Sequence, residues 1–387
     1  MRHAAFLPRL VHLIPLVVLF QLSGQVASAE DLARGTVLAS VECLDAPAQH
    51  YALYLPTNFT PERSWPVILI FDAAARGREG VERYQAAAER YGYIIAGSNN
   101  SRNGPWEPSL EAANAMSKDV AKRFPVDMKR VYTAGMSGGA RVALMVALGS
   151  ESIAGVLASS AGYADSFHES LRFPLFVSAG TEDFNYREVH AVDLRMKTPH
   201  RVELFNGGHT WLPPDLATEG VEWMEVQAMK RGQRSRDDRL IDELFAKRTA
   251  RAEAMADKLA KMRALKLLAA DFEGLKDVSA IAASAADLEK LSAVTDALRA
   301  EKEDDQLEWQ TSNDLNRLMR QLGWPERQRV AFEEMKGRVE TLSQAANAPA
   351  DSPDRRRARR ALANLRAASR DIPNEDFKTL MRQTPLP

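Results

Sequence analysis

Three side chains of the types that cooperate in acyl transfer follow one another along the chain: Ser137, Asp183 and His209. A serine hydroxyl becomes a strong nucleophile when a histidine removes its proton, and an acidic side chain must orient that histidine. The sequence therefore offers a nucleophile, an acid and a base, provided that the fold positions them together.

The serine lies in a G-x-S-x-G run, residues 135–139, between a short apolar strand and a helix-prone segment, residues 141–148. This strand–turn–helix context is typical of a nucleophile elbow. So sharp a turn strains the backbone of the serine and brings its neighbours close to other main chain, which favours residues without a β-carbon. The pattern predicts Ser137 as the nucleophile.

The acid and the base each follow a predicted strand. Asp183 comes after the strand at 173–179, and His209 comes after the strand at 201–205. Parallel sheets place their functional sites at the carboxyl ends of strands. Asp183 is therefore predicted as the acid and His209 as the base, in the serine–acid–histidine order of hydrolases that carry this elbow.

Several rivals exist for these two roles. Glu182 is adjacent to Asp183 and stays open as an alternative acid. The other rivals are predicted within a helix, at a strand start or before the acid-bearing strand: Asp165, Asp193, His168, His190 and His200.

An oxyanion formed on the attacked carbonyl needs two preset N–H donors. The backbone of Gly138 is the first candidate, because it follows the nucleophile. The second is Ala73, or its neighbour Ala74, in the loop after a predicted strand at 67–71. Trp106 and Trp211 are predicted to line the substrate pocket.

Strand and helix patterns alternate through residues 66–231. This alternation predicts an α/β fold with a mostly parallel sheet and helices on both faces. Two earlier strands, at 37–41 and 51–55, would extend one edge in the antiparallel sense. One of the predicted helices covers 109–124, with Ser109 as its N-cap.

Beyond about residue 232 the strand signals stop and the composition turns to alanine, leucine and charged residues. A separate all-helical domain is predicted there, with a possible tetratricopeptide-like arrangement. Its predicted helices are 250–270, 278–299, 314–322 and 326–345. Five arginines lie within 355–360, which indicates either a patch for an acidic partner or a solvated helix face.

The amino terminus carries basic residues, an apolar run and an A-x-A site before Glu30. This arrangement is typical of a secretory signal peptide cut near Ala29, although an uncleaved membrane anchor remains an alternative. The predicted organisation is a signal peptide at 1–29, a hydrolase domain at 30–231 and a helical domain at 232–387. The mature chain is expected to be secreted or periplasmic and to have no membrane span.

Composition excludes several other classes of protein. The 387 residues carry a formal net charge of -1, which does not favour nucleic acid as a partner. The single cysteine excludes an intrachain disulfide and a cysteine-rich zinc site.

Residues from about 50 to 225 resemble the alpha/beta-hydrolase superfamily, and within it the polyhydroxybutyrate depolymerase and feruloyl or acetyl-xylan esterase group. The resemblance rests on the elbow run 135–139, on Gly-Thr-Glu-Asp at 180–183 and above all on Gly-Gly-His-Thr-Trp at 207–211. It implies ester hydrolysis through an acyl-enzyme with Ser137, Asp183 and His209, and no metal or organic cofactor.

The chain departs from the group in one place that concerns the chemistry. The group usually has His-Gly after its first parallel strand, where this chain has Asp72-Ala73. A carboxylate there would oppose the developing oxyanion unless it turned away or were paired. The cysteines that pin loops in some secreted relatives are also missing.

The leading hypothesis is a serine hydrolase acting on carboxylic esters, either small molecules or polymers. A serine peptidase of the prolyl-oligopeptidase type is an alternative, because it uses the same triad order. Another is a catalytically degenerate hydrolase module whose helical domain binds a protein partner.

Overall fold

The computed structural model describes residues 32–162 and 169–385. Within these residues, eight strands form one sheet in the order β1-β2-β4-β3-β5-β6-β7-β8. The strands are β1 Val37–Cys43, β2 Ala46–Tyr54, β3 Trp65–Asp72, β4 Ile94–Ser98, β5 Val126–Met136, β6 Ile153–Ser159, β7 Leu175–Gly180 and β8 His200–Phe205.

The centre of the sheet is parallel, as its sequence pattern predicts. Every residue of β3 is buried, which suits a strand covered on both faces. It pairs in parallel with β4 on one side and β5 on the other, and β5 pairs in parallel with β6. The first two strands form the predicted antiparallel edge, with β2 against β4.

Two helices show why both faces of the sheet are covered. Helix α1, Gly77–Tyr91, connects β3 to β4, and α2, Trp106–Arg123, returns in the opposite direction from β4 across β3 to β5. Right-handed crossovers that run in opposite directions put their helices on opposite faces. The predicted α/β class is thus confirmed.

The start of helix α2 was predicted wrongly. Helix α2 begins at Trp106 rather than at Ser109, with Pro105 at the N-cap position. The Ser109 hydroxyl instead accepts the N–H of Arg102 at 3.2 Å and donates to its carbonyl at 3.0 Å. A serine inside the first turn therefore fastens the preceding loop and does not cap the helix.

The later elements are helical, which confirms the predicted helical carboxyl-terminal region. They are α3 Gly138–Gly149, α4 Tyr186–Arg195, α5 Pro214–Lys230, α6 Asp238–Glu253, α7 Lys258–Phe272, α8 Ser279–Glu289, α9 Ser292–Leu322, α10 Gln328–Ala346, α11 Pro353–Ala368 and α12 Glu375–Gln383. The tetratricopeptide-like arrangement stays a prediction.

Two of the predicted carboxyl-terminal helices span breaks. The predicted helix at 250–270 covers the end of α6 and most of α7, and the predicted helix at 278–299 is two helices. Lys290 and Leu291 close α8 with i→i+3 bonds to Asp287 and Leu288. Leu291 then adopts an extended backbone, with φ -70° and ψ 135°, before α9 runs for 31 residues. Because neither glycine nor proline marks this break, the sequence pattern did not reveal it.

The described chain divides into two compact units. One contains β1–β6 with α1–α3. The other contains the carboxyl ends of β7 and β8, helix α4 and the helices from α5 to α12. Its carboxyl-terminal core includes Leu315, Met335, Leu362, Leu365 and Phe377. The sequence-based boundaries at 30–231 and 232–387 stay predictions.

The predicted signal peptide lies outside the described residues. In the part of the chain that is described, no helix has both the length and the apolar character needed to cross a bilayer.

Candidate active site

Ser137 sits on a sharply strained turn between β5 and α3. Its φ of 56° and ψ of -120° fall in a region that residues with a β-carbon rarely adopt. Such a conformation costs on the order of 1–3 kcal/mol and persists where the surroundings enforce it. Here the Ser137 N–H donates to the Ser159 carbonyl at 2.8 Å, while its own carbonyl accepts the Ala140 N–H at 3.0 Å.

Two glycines allow the elbow to form. A β-carbon on Gly135 would approach the backbone of Gly139 to well inside 3.0 Å, and one on Gly139 would approach the Phe71 carbonyl equally closely. Helix α3 therefore packs directly on the ends of β3 and β5 through bare backbone. This packing holds Ser137 at the tip of the turn.

The two predicted oxyanion donors are neighbours. A β-carbon placed on Gly138 would lie 3.6 Å from the β-carbon of Ala73. Gly138 is the first residue of α3, where an N–H has no intrahelical acceptor. Both residues therefore lie beside the serine.

A strained serine after the fifth strand, next to the loop after the third strand, is the arrangement that decides the fold. The chain has the alpha/beta-hydrolase fold.

Asn103 is a neighbour of the oxyanion donors that the sequence did not reveal. A β-carbon on Gly138 would collide with its side-chain oxygen Oδ1. The Asn103 N–H donates to the Ala73 carbonyl at 2.8 Å, and Ala74 bridges to Arg102. The loop after β4 thus supports the loop after β3, and glycine at 138 leaves room for the Asn103 carboxamide.

Asp72 does not act as an unpaired charge at the oxyanion position. Its carboxylate is buried and binds the Arg76 guanidinium through two bonds of 3.0 Å each. Oδ1 also accepts the Ala74 N–H at 2.7 Å. The same pairing raises the pKa of the Arg76 guanidinium above its ordinary value. Asp72 is therefore the residue that fixes the turn bearing Ala73.

Removing this carboxylate should loosen the turn. Asp72→Ala leaves the Ala74 N–H without its acceptor and leaves the Arg76 guanidinium paired with Glu79 alone, so the free energy of unfolding should fall by about 1–3 kcal/mol. Turnover should fall as well, because the Ala73 N–H is no longer held in place. Urea denaturation and ester kinetics measure the two effects.

A matched control is Glu82→Ala. This substitution removes the exposed partner of Arg78, four positions away on helix α1. An exposed pair of this kind contributes about 0–1 kcal/mol. Equal effects of the two substitutions on turnover would contradict the role assigned to Asp72.

The structure brings the predicted acid and base together. His209 Nδ1 lies 2.8 Å from Asp183 Oδ1, and this carboxylate is fully buried while the histidine side chain is 20% exposed. The same oxygen accepts the Asn185 N–H at 2.8 Å, and the Phe184 ring stacks on the imidazole at a centroid distance of 4.0 Å. Because the carboxylate engages Nδ1, the tautomer it selects presents Nε2 as the basic nitrogen.

Glu182, the rival acid, binds a different partner. Its two carboxylate oxygens accept hydrogen bonds from Arg359, whereas Asp183 contacts the histidine. Sequence reasoning had no signal for this pair, because its members lie 177 positions apart.

The two tryptophans differ in exposure. Trp106 opens α2 and is 42% exposed, while Trp211 is only 2% exposed. An exposed indole can meet a ligand directly, whereas the buried Trp211 supports the segment that follows His209 by packing. Their roles in substrate binding stay predictions.

No metal-binding group of three or more His, Cys, Asp or Glu was found within 32–162 and 169–385.

Comparisons with known proteins found several solved structures that are similar to part of this chain. No protein-family model and no curated protein matches the chain. Est1E from Butyrivibrio proteoclasticus is 15% identical, with a TM-score of 0.38 over 50% of this chain and 99% of that one. FphF, a fluorophosphonate-binding serine hydrolase of Staphylococcus aureus, is 14% identical, with a TM-score of 0.36 over 46% of this chain and 92% of that one.

Dipeptidyl peptidase 4 of Porphyromonas gingivalis is 14% identical, with a TM-score of 0.38 over 49% of this chain and 35% of that one. Likenesses of this size carry no weight in assigning an activity or a substrate. The more specific resemblance to polyhydroxybutyrate depolymerases and feruloyl or acetyl-xylan esterases stays a prediction.

Proposed function

We propose that the chain is a serine hydrolase that cleaves carboxylic esters through an acyl-enzyme. Ser137 is the nucleophile, His209 the base and Asp183 the acid. The observation that carries this proposal is the buried Asp183 carboxylate hydrogen-bonded to His209 Nδ1. A strained serine elbow with two neighbouring backbone donors supports it.

In the first half-reaction the Ser137 hydroxyl oxygen bonds to the ester carbonyl carbon, and its proton passes to His209 Nε2. The Asp183 carboxylate stabilises the resulting imidazolium. The N–H groups of Gly138 and Ala73 bind the negative oxygen of the tetrahedral intermediate. The intermediate collapses as the ester C–O bond breaks, and His209 protonates the departing alcohol.

In the second half-reaction water takes the place of the alcohol. His209 removes one proton from the water, whose oxygen bonds to the acyl carbon and regenerates the same oxyanion geometry. Collapse then breaks the bond to Ser137, which regains its proton from His209. The reaction consumes one water and releases one carboxylic acid, so it requires no further reactant.

Asp72 bears on the alternative of a degenerate module. The main argument for lost activity is a carboxylate next to the oxyanion, and the bidentate pairing of Asp72 with Arg76 neutralises that charge. The pairing therefore supports an active enzyme. A peptidase would use the same three residues, and comparing esters with amides of the same acyl group separates the two activities.

The expected setting follows from the predicted signal peptide. We propose export with cleavage near Ala29, an ester substrate of small or polymeric kind and no nucleic-acid partner. Amino-terminal sequencing of the protein from the expressing cell's periplasm or medium tests the export.

Labelling with a fluorophosphonate probe tests the function. The folded wild-type protein should be labelled at Ser137, because such probes react with activated serines. Ser137→Ala should abolish the labelling and heat-denatured wild type should not react. An unlabelled folded wild type would refute the proposed chemistry, and labelling that survives Ser137→Ala would assign the nucleophile to another residue.

The substrate class is tested by a p-nitrophenyl ester series of increasing acyl length, set beside feruloyl and acetyl esters and matching p-nitroanilides. Ester cleavage without anilide cleavage is the expected result. The reverse preference would favour a peptidase.

A further inference from the structure

Two adjacent arginines of α11 reach the loop that carries Asp183. We define this acid loop as residues 181–186. Arg359 Nη1 donates to both carboxylate oxygens of Glu182, at 2.9 and 3.1 Å. Its Nε donates to the Ala346 carbonyl at the end of α10, at 3.0 Å. Both members of the ion pair are mostly buried, with side chains 17% and 18% exposed.

Arg360 contacts the same loop at its two ends. Its Nη1 donates to the Thr181 carbonyl at 2.6 Å, and its guanidinium lies 4.3 Å from the centre of the Tyr186 ring. Glu308 of α9 holds this guanidinium through Nε at 2.9 Å and through Nη2. The Arg360–Glu308 pair is almost fully buried. Burying a charge at this depth is costly unless the charge is paired and hydrogen-bonded.

These contacts flank Asp183 without touching it. On the sheet side, the N–H groups of Thr181 and Glu182 donate to the carbonyls of Phe205 and Gly207, each at 2.8 Å. The carboxylate of Glu182 and the carbonyl of Thr181 bind the two arginines. The position of the Asp183 carboxylate therefore depends on the strand ends and on helix α11 together.

We propose that Arg359 and Arg360 are positioning residues, which hold the acid loop so that the Asp183 carboxylate stays in hydrogen-bonding register with His209. This inference rests on the proposed function, and it assigns a task to the helical region. The arginine run is then neither a patch for an acidic partner nor a solvated face, because two of its members are committed to the acid loop.

The size of the expected effect follows from the geometry. The Asp183–His209 contact is 2.8 Å long, so a loop displaced by about 1 Å would break it. Misplacement of this extent by a change away from the reacting atoms lowers turnover by on the order of 100-fold. We expect Arg359→Gln to lower kcat by about 10- to 100-fold with KM little changed. Arg359→Lys keeps the positive charge and should retain most of the wild-type kcat.

A double-mutant cycle isolates the contact. Glu182→Gln should lower kcat to a similar degree, and the double substitution with Arg359→Gln should be no worse than either alone. Arg360 is unsuitable as the first target, because its removal leaves the Glu308 carboxylate buried without a partner.

The matched control is Arg357→Gln. Arg357 lies on the same helix, is 14% exposed and pairs with Asp304 and Asp354. Its substitution removes an ion pair between α11 and α9 and changes no contact to the acid loop. It should leave kcat unchanged. Equal losses of kcat in the Arg357 and Arg359 variants, at matched thermal stability, would show that the Arg359–Glu182 pair has only a structural role. That result would overturn the proposal.

A spectroscopic readout keeps this test apart from the proposed function. The proton of the His209 Nδ1–Asp183 hydrogen bond should give a low-field NMR signal in wild type and in Arg357→Gln, and the signal should broaden or vanish in Arg359→Gln. An unchanged signal together with wild-type kcat would overturn the positioning role. A protein with this signal but no probe labelling or ester turnover would refute the proposed function alone.

Discussion

Replacing Asp183 with asparagine will lower turnover of a p-nitrophenyl ester by about 10⁴-fold while the protein stays folded. The substitution keeps the size of the side chain, and an oxygen at its position can still accept the Asn185 N–H that bonds to Oδ1. It removes the charge that stabilises the imidazolium. In the other amide orientation the nitrogen takes the Oδ1 position, which gives up the bond from Asn185 and presents an N–H to His209 Nδ1, so that the wrong tautomer is selected. The loss should therefore fall on kcat, with KM little changed.

Asp193→Asn is the control for this experiment. Asp193 is an exposed residue within α4 and a rival for the acid in the sequence. Its replacement should leave turnover unchanged. Near-normal turnover of Asp183→Asn would show that another group orients His209.

Gly139→Ala is the second substitution with a large expected effect. The added β-carbon would meet the carbonyl oxygen of Phe71, which belongs to the backbone of β3 and cannot rotate away. Helix α3 must then move off the strand ends. The free energy of unfolding should fall by about 1–3 kcal/mol or more, as in other overpacked cores. Turnover should fall with it, because the same shift moves Ser137.

Gly337→Ala is the control: the same added methyl group should stabilise the protein at this position. Gly337 lies within α10, and a β-carbon there would meet nothing within 4 Å. Alanine in an open helical position should raise the free energy of unfolding by about 0.5–1 kcal/mol. Urea denaturation of both variants measures the difference. A Gly139→Ala protein as stable as wild type would contradict the close approach of α3 to β3.

Much of the fold was predictable because its signals are local. The buried run of β3 is continuous and β-branched, and the elbow glycines are needed wherever a helix meets bare strand backbone. Helix boundaries were harder to predict. The break at Leu291 carries no glycine or proline, and Ser109 resembles an N-cap although it bonds to the loop before it.

The site was predictable to the extent that its parts follow strands in order. The contact between Asp183 and His209 was predicted in this way, since both follow strand ends. The Asp72–Arg76 pair has i,i+4 spacing and could have been noticed. Whether the two side chains meet, however, depends on the turn between the two residues. Asn103 and Arg359 gave no signal, because their partners are distant in sequence and only the folded chain brings them close.

The distance along the chain between the acid loop and its arginines also sets the order in which the protein can be completed during synthesis. Arg359 is made 177 residues after Glu182, so the elbow and both oxyanion donors exist long before the loop receives its second support. A chain released early would carry Ser137 and His209 with the acid loop held only on its sheet side. If the proposed site is correct, full-strength hydrolysis would thus require synthesis to have passed through α11.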